Sequence, residues 1–162
     1  MAIIIGGANG AGKTTFARAL FSVTHPKPVF LNADEVAREG YEPLAAGRET
    51  LRRLRGAVEQ RRSFVLESTL SSKGYARQVP SWQMAGFTVV LHFLEVPSAN
   101  FAVERVAGRV AAGGHDVPEP DIRRRYDRGL ELLDSVYKSA VDAWTHWQVR
   151  EDGLEFEARS GS

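Results

Sequence analysis

The sequence of 162 residues contains no cysteine. Disulfide bonds, thiolate nucleophiles and thiolate zinc sites are therefore excluded. No apolar run approaches the length of a membrane span, and the start, Met-Ala-Ile-Ile-Ile-Gly, lacks the basic segment and the apolar length of a signal peptide. The formal net charge is only +1, so no overall field favours nucleic acid or an anionic membrane. We expect a cytoplasmic protein with no membrane partner, for which nucleic acid is an unfavoured partner.

The composition is that of a globular protein, with 43% hydrophobic and 25% charged residues. A chain of this length can enclose a single sizeable core. We therefore expect one domain over residues 1–162, with no linker, internal repeat or low-complexity segment.

Short apolar runs alternate with stretches of helical periodicity. Because such runs are typical of strands buried on both faces, the pattern predicts an α/β fold with a mostly parallel central sheet and helices on both faces. The predicted strands are 2–5, 29–31, 63–67, 87–96, 147–150 and 154–156, with a turn at 152–153. The predicted helices are 14–21, 44–60, 73–84 with a kink or restart at Pro80, 98–110, and a long last helix whose apolar stripe runs from Ile122 to Trp144.

The residues between the first strand and the first helix match G-x-x-x-x-G-K-[ST]. A strand before this motif and a helix after it are the context in which it cradles phosphates, so the predicted architecture is a three-layer P-loop kinase fold. Backbone N–H groups and the helix dipole would point at the β-phosphate. Lys13 would bridge the β- and γ-phosphates, and the Thr14 hydroxyl would hold Mg²⁺. The residues expected to bind ATP are Gly7, Ala8, Asn9, Gly10, Ala11, Gly12, Lys13, Thr14 and Thr15.

Polar side chains follow the next two strands. Asn32 and Asp34 follow the second strand, and Glu67 and Thr69 end the third. Ligands of open parallel sheets bind outside the carboxyl ends of the strands, so these side chains should share one crevice with the P-loop. Asp34 is the candidate base that accepts the proton of an attacking hydroxyl, or else it caps the helix that it opens. Glu67 could support Mg²⁺ through a water molecule or bind a substrate hydroxyl.

Cations over the phosphates would come from the later helices. Arg105 and Arg109 are one helical turn apart, and Arg109 precedes a Gly113-Gly114-His115 loop that we interpret as a mobile lid at about 111–120. His115 could hydrogen-bond a phosphate or substrate from that lid.

The last helix opens with several arginines. Successive helical residues point in directions 100° apart, so these arginines cannot all meet one phosphate. With Ile122 on the core face, Arg124 and Arg128 point away from the core, whereas Arg123 and Arg125 flank it. The pattern does not decide among them.

Taken in order, these motifs resemble the zeta toxin family of P-loop kinases, of which this chain looks like a short member. The resemblance covers Ile3 to about Trp147. It implies ATP-dependent phosphorylation of a hydroxyl, which in characterised toxins belongs to the sugar of UDP-N-acetylglucosamine. It also implies a catalytic group of Lys13, Asp34, Arg109 and Arg124, and substrate contacts from Asn32, Glu67, Thr69 and His115. The motifs that carry it are Asn32-Ala33-Asp34, Glu67-Ser68-Thr69, Arg105-Val106-Ala107-Gly108-Arg109-Val110, Gly113-Gly114-His115-Asp116-Val117-Pro118 and Arg124-Arg125-Tyr126.

The function predicted is therefore an ATP- and Mg²⁺-dependent kinase acting on a hydroxyl of a small molecule, for which a UDP-sugar such as UDP-N-acetylglucosamine is one candidate. One alternative is a kinase for the 5′-hydroxyl of a nucleic acid, which the arginines of residues 123–128 would favour. Another is a nucleotide-binding regulatory module without transfer activity. No antitoxin partner can be inferred from the sequence.

Overall fold

The computed structural model describes residues 1–21, 27–150 and 153–160. Strands and helices alternate along the chain as predicted. The strands are β1 Ala2–Gly7, β2 Val29–Leu31, β3 Phe64–Ser68, β4 Val89–Glu95, β5 Ala143–Val149 and β6 Leu154–Arg159. The helices are α1 Lys13–Phe21, α2 Ala33–Arg38, α3 Pro43–Glu59, α4 Val79–Met84, α5 Ala99–Ala111, α6 Glu119–Leu132 and α7 Lys138–Ala140, with a 3₁₀ turn at Ala76–Gln78 and a π-helical segment at Leu133–Tyr137.

The six strands form one sheet in the order β2-β3-β1-β4-β5-β6. All neighbours are parallel except β5 and β6, which are antiparallel. β1 and β4 lie in the middle of the sheet, which explains why both strands are nearly continuous apolar runs. The α/β fold with a mostly parallel sheet is therefore confirmed.

Helices cover both faces of the sheet. Ile4 and Leu66 point into a cluster on one face that contains Trp82 and Tyr137. Their neighbours Ile5 and Val65 belong to a separate cluster on the other face. This alternation follows from the period of two in a strand, and it gives the three layers that the sequence predicts.

The register of the sheet aligns the ends of the strands that carry polar residues. Glu67 of β3 pairs with Ile5 of β1, and Ser68 pairs with Gly6. The polar end of β3 therefore lies level with the beginning of the glycine-rich loop.

The prediction of one long last helix is wrong at its carboxyl end. The helical backbone ends at Ala140, and Val141 is extended with φ −94° and ψ 160°. The Asp142 carboxylate accepts a hydrogen bond of 2.7 Å from the backbone N–H of Val89, which fixes the chain beside β4. Trp144 therefore lies in β5, where an aromatic residue is favoured, although its spacing continues the helical stripe.

Two other details extend the predictions. Pro80 lies in the first turn of α4 after the 3₁₀ turn, so it marks a restart of the helix rather than a kink. Asp152 of the predicted turn at 152–153 lies outside the described residues. Among the residues that the structure describes, no helix combines the length and the apolar character needed to cross a membrane.

Candidate functional site

The glycine-rich loop joins the end of β1 to the start of α1. Gly10 and Gly12 have φ angles of +80° and +84°, which disfavour residues with a side chain. A Cβ atom on Gly10 would also lie 2.8 Å from the Cβ of Arg105 in α5. The loop can therefore take this path against α5 only because glycine occupies these positions.

Lys13 begins α1 and is buried, with an exposure of 7%. Its Nζ donates a hydrogen bond of 2.8 Å to the carbonyl of Ala8 within the loop. Burial lowers the pKa of Lys13, whereas the carboxylates of Glu67 and Asp34 oppose that change. An ammonium group has three donors, so two remain for oxygen atoms of a ligand such as a phosphate.

Thr14 and Glu67 connect the loop to the end of β3. The Thr14 hydroxyl donates a hydrogen bond of 2.8 Å to Oε2 of Glu67. Burial raises the pKa of Glu67, partly offset by Lys13 and by the Thr14 hydroxyl. A hydroxyl and a carboxylate are the hard oxygen ligands that Mg²⁺ prefers, so these two side chains fit a magnesium site beside the loop.

The sequence left two roles open for Asp34, namely the catalytic base or the cap of α2, and the structure gives the capping role to Asn32. The side chain of Asn32 accepts a hydrogen bond of 2.8 Å from the backbone N–H of Asp34 and so caps α2. The Asp34 side chain is then free of capping, and within the described residues no donor is bonded to its carboxylate. Asp34 interacts electrostatically with both Lys13 and Glu67, so the three charged groups are neighbours.

These residues border two cavities outside the carboxyl ends of β1, β2 and β3. The loop-side cavity has a volume of about 270 Å³ and includes Gly10, Thr14 and Arg109 in its lining. The lid-side cavity has a volume of about 470 Å³ and includes Thr69, Tyr75 and residues 115–118. The residues that line both cavities are Asn9, Lys13, Asn32, Asp34 and Glu67.

The two cavities differ in the sign of their charge. The loop-side cavity is lined by four basic side chains and two carboxylates, namely Lys13, Arg38, Arg105, Arg109, Asp34 and Glu67. The lid-side cavity is lined by four carboxylates and two basic side chains, namely Asp34, Glu67, Asp116, Asp121, Lys13 and Arg125. The first therefore favours a polyanion, and the second does not.

Arg109 lies near the end of α5, where it contacts both the loop-side cavity and the lid. Its Nη2 donates a hydrogen bond of 2.7 Å to the backbone carbonyl of His115. Its Nε is buried and has no hydrogen-bond partner among the described residues. A buried donor without a partner is costly.

The lid predicted at about 111–120 contains the loop between α5 and α6, and it borders the lid-side cavity. Val117 is buried in the core cluster on this face of the sheet, and the backbone N–H of Gly114 bonds to the carbonyl of Arg109 at 2.9 Å. His115 lines the lid-side cavity, as does Thr69, whose hydroxyl lies 3.0 Å from that of Ser71. The structure thus brings both of these predicted substrate residues to the lid-side cavity.

Arg124 does not line either cavity. Its side chain is 68% exposed and pairs with Asp121 at 2.6 Å. The neighbouring Arg125 lies in the lid-side cavity instead and approaches Oδ1 of Asn9 at 3.4 Å. Gly129 could have indicated from the sequence that Arg125 faces the site. Arg125 lies between Ile122 and Gly129 at helical spacing, and both of these residues are buried.

Two further residues of the predicted ATP-binding loop are buried in the protein core. Ala8 and Ala11 are 5% and 2% exposed and belong to the core cluster.

Two residues that the sequence analysis did not predict also line the cleft formed by the two cavities. They are Tyr75 in the lid-side cavity and Arg38 of α2 in the loop-side cavity. Neither belongs to a motif, and they reach the cleft only through the packing of α2 and of the segment after β3.

A glycine-rich loop between a buried parallel strand and a helix, with acidic residues on the adjacent strand ends, defines a P-loop kinase-like fold. Residues 3–128 match the family model AAA_33, described as an AAA domain. The chain belongs to this family.

Known proteins with similar sequence or structure agree with this fold. An uncharacterized protein of Haemophilus influenzae is 26% identical over 131 residues, which cover 77% of this chain and 91% of that protein. A crystal structure of AvrRxo1-ORF1:-ORF2 with ATP has a TM-score of 0.77 at 16% identity and covers 98% of this chain. This chain spans 57% of that one.

A structure of the PezAT toxin-antitoxin system of Streptococcus pneumoniae has a TM-score of 0.66 at 17% identity. It covers 96% of this chain, which spans 70% of that one. At these identities the likeness concerns the fold.

Proposed function

We propose that this protein is a kinase that transfers the γ-phosphate of Mg·ATP to a hydroxyl group of a small molecule. The observation that carries the proposal is the junction of the two cavities, where Lys13, Asp34 and Glu67 line both sides. Phosphoryl transfer needs a phosphate cradle, a metal site and a group that accepts the proton of the nucleophile. All three requirements have candidates at this junction.

The loop-side cavity is the proposed binding site for the triphosphate. Its excess of basic side chains suits a polyanion, and the N–H groups of the loop at the start of α1 would bind the β-phosphate. Lys13 would donate its remaining hydrogen bonds to phosphate oxygens, and Arg109 would add positive charge beside them.

Thr14 and Glu67 would hold Mg²⁺, with Thr14 as a direct ligand and Glu67 acting through water. The bound ion would neutralise charge on the β- and γ-phosphates. The hydrogen bond from Thr14 to Glu67 orients the hydroxyl so that its lone pairs face away from the carboxylate. The raised pKa of Glu67 is consistent with a carboxylate that benefits from a cation.

Asp34 is the proposed base. Its carboxylate would accept the proton of the acceptor hydroxyl as the acceptor oxygen forms its bond to the γ-phosphorus and the bond from that phosphorus to the bridging oxygen of ADP breaks. Arg125 takes the phosphate-stabilising role that the resemblance gave to Arg124, because Arg125 is the one of the two that lines the cleft. The products are ADP and the phosphorylated alcohol.

The charge of the lid-side cavity disfavours an anionic acceptor. Its carboxylates outnumber its basic side chains, so a nucleic-acid strand or the diphosphate of a UDP-sugar would meet repulsion there. We therefore place an uncharged hydroxyl compound ahead of UDP-N-acetylglucosamine, which the zeta toxin resemblance implies, and ahead of a 5′-hydroxyl oligonucleotide.

The test is transfer of radiolabel from γ-labelled ATP to a panel of acceptors. The panel contains sugars, nucleosides, aminoglycoside-like and amphenicol-like alcohols, UDP-N-acetylglucosamine and 5′-hydroxyl oligonucleotides. We expect label on a neutral alcohol, and Asp34→Asn should lower kcat by about 10²–10⁴-fold with ATP affinity unchanged.

Asp116→Asn is the matched control, because it removes a carboxylate of the same cavity from the exposed lid. Equal losses in the Asp34 and Asp116 variants would reject Asp34 as the base. ATP binding with no labelled acceptor would instead support a regulatory nucleotide-binding module.

A further inference from the structure

We propose that the acceptor carries an apolar portion, and that a groove along α3 binds it. This inference rests on the proposed kinase function, since it names the class of acceptor as an amphiphilic alcohol. The α3 groove has a volume of about 380 Å³ and is lined mainly by Pro43, Leu44, Gly47, Leu51, Gly74 and Tyr75.

The α3 groove adjoins the proposed acceptor site. Pro43 and Tyr75 line both the groove and the lid-side cavity. A molecule whose hydroxyl lies near Asp34 could therefore extend past these two side chains into the groove. Because of this shared wall, we assign the groove to part of the acceptor.

The lining of the groove is mostly apolar, although Arg48 also borders it, and two of its backbone carbonyls are already bonded. The backbone carbonyl of Ser72 accepts a hydrogen bond of 2.6 Å from the Tyr137 hydroxyl. The carbonyl of Gly74 accepts one of 3.3 Å from the side chain of Gln78. What the groove offers to a ligand is therefore mainly hydrocarbon.

Leu44 is 73% exposed beside the groove. It is the second residue of α3, directly after the proline that begins the helix. A polar residue would serve helix formation equally well there, and the core of the sheet does not use this side chain. An exposed leucine on its own carries little meaning, but here it extends an apolar channel that starts at the acceptor cavity.

Gly47 provides a direct test. It lines the groove, and a Cβ atom added to it would meet nothing within 4 Å. Gly47→Leu should therefore fill the groove without a clash. Gly56 lies in the same helix with the same open surroundings but outside the groove, so Gly56→Leu is the matched control for the added side chain and its effect on helix stability.

The probes are methyl β-D-glucoside and n-octyl β-D-glucoside, titrated calorimetrically below the micellar concentration into the full chain with magnesium and a non-hydrolysable ATP analogue. Each methylene that enters the groove should tighten binding about fourfold. We expect the octyl compound to bind at least tenfold more tightly than the methyl compound to the wild type and to Gly56→Leu. In Gly47→Leu this advantage should disappear.

Equal affinities for the two glucosides in the wild type, or an octyl advantage that Gly47→Leu retains, would overturn the proposal. So would a concentration-dependent dimer of the wild type that Gly47→Leu abolishes, because a second copy would then occupy the groove. The kinase proposal fails on different results, namely no binding of the ATP analogue or no transfer to any acceptor. An octyl advantage without transfer would retain the groove and reject the kinase.

Discussion

Replacing Asn32 by alanine tests how the end of β2 delivers Asp34 to the cleft. Asn32 is 7% exposed, and its side chain accepts the backbone N–H of Asp34 at 2.8 Å. Losing an asparagine cap costs about 1 kcal/mol, within a range of about 0.5–2. Because Asp34 is half-buried, water can partly replace the lost acceptor, so we expect a value near 1 kcal/mol rather than the larger cost of a fully buried orphan.

The assay is urea unfolding followed by circular dichroism, with thermal unfolding as a second measurement. A loss of about 1 kcal/mol in a chain of this length lowers the Tm by about 2–4 °C. Asn32→Ser is the control, because serine also caps helices well and should keep most of the stability. An alanine variant as stable as the wild type would refute the capping role.

The same pair of variants separates capping from substrate binding. If Asn32 acts only through the position of Asp34, the serine variant should keep the acceptor KM and most of kcat, whereas the alanine variant should lose kcat. If its amide binds the acceptor directly, both variants should raise KM to a similar extent. Steady-state kinetics with the best acceptor from the panel distinguishes these outcomes.

Three further predictions concern the loop, the arginines and pH. Urea unfolding should show a loss of about 1–2 kcal/mol for Gly12→Ala from its positive φ and a larger loss for Gly10→Ala, whose Cβ would contact α5; equal losses would contradict this. Arg125→Gln should lower kcat/KM for transfer at least tenfold, whereas Arg124→Gln should leave it near the wild-type value. Burial raises the pKa of Glu67 in the folded state above its ordinary value of 4.5. Protonated Glu67 therefore adds to the free energy of unfolding, fully below the pKa of the unfolded state, and this contribution is lost as pH rises through the pKa of the folded state. The stability of the wild type minus that of Glu67→Gln should therefore increase as pH falls through this window, and a flat difference in urea unfolding across pH would refute it.

Strands β1 to β4 of the sheet could be predicted because each is a short apolar run, and β1, β3 and β4 are mostly buried. Val29–Leu31 is confirmed as β2, and the predicted strands at 2–5, 63–67 and 87–96 match β1, β3 and β4 closely. The end of the last helix could not be predicted from the sequence, because Val141 and Trp144 continue the helical spacing of its apolar residues. The hydrogen bond between Asp142 and the backbone of β4 ends the helix, and that contact joins residues 53 positions apart in the chain.

The sequence also could not decide whether Asn32 or Asp34 caps α2. Both residue types cap helices well, so the pattern allowed either to cap α2. The choice depends on the backbone of Asn32, which is extended with φ −141° and ψ 120°, so the helix begins one residue later at Ala33. Boundaries of this kind shift by one or two residues, and here one residue decides which side chain caps the helix and which is free for the proposed role of base.

The sequence also could not decide whether Arg124 or Arg125 of α6 faces the cleft, for a different reason. Helical spacing fixes the angle between Arg124 and Arg125, but the rotation of α6 against the sheet depends on which residue packs most closely. A Cβ atom on Gly129 would lie 2.9 Å from the backbone carbonyl of Thr69, so the absence of a side chain there lets α6 approach the end of β3. This contact turns Arg125 toward the cleft and leaves Arg124 in solvent.

The two halves of the cleft therefore differ in how far they can be predicted. Most residues of the loop-side cavity lie at or near the ends of β1, β2 and β3, and the parallel register places those ends together. Its arginines come from α2 and α5. The lid-side cavity also takes Pro43 from the start of α3, Tyr75 from the segment after β3 and Arg125 from α6. No single periodicity relates these positions. The glycine-rich loop could thus be predicted from a local motif, whereas the lid-side cavity depends on how α3, α6 and the segment after β3 pack around the site.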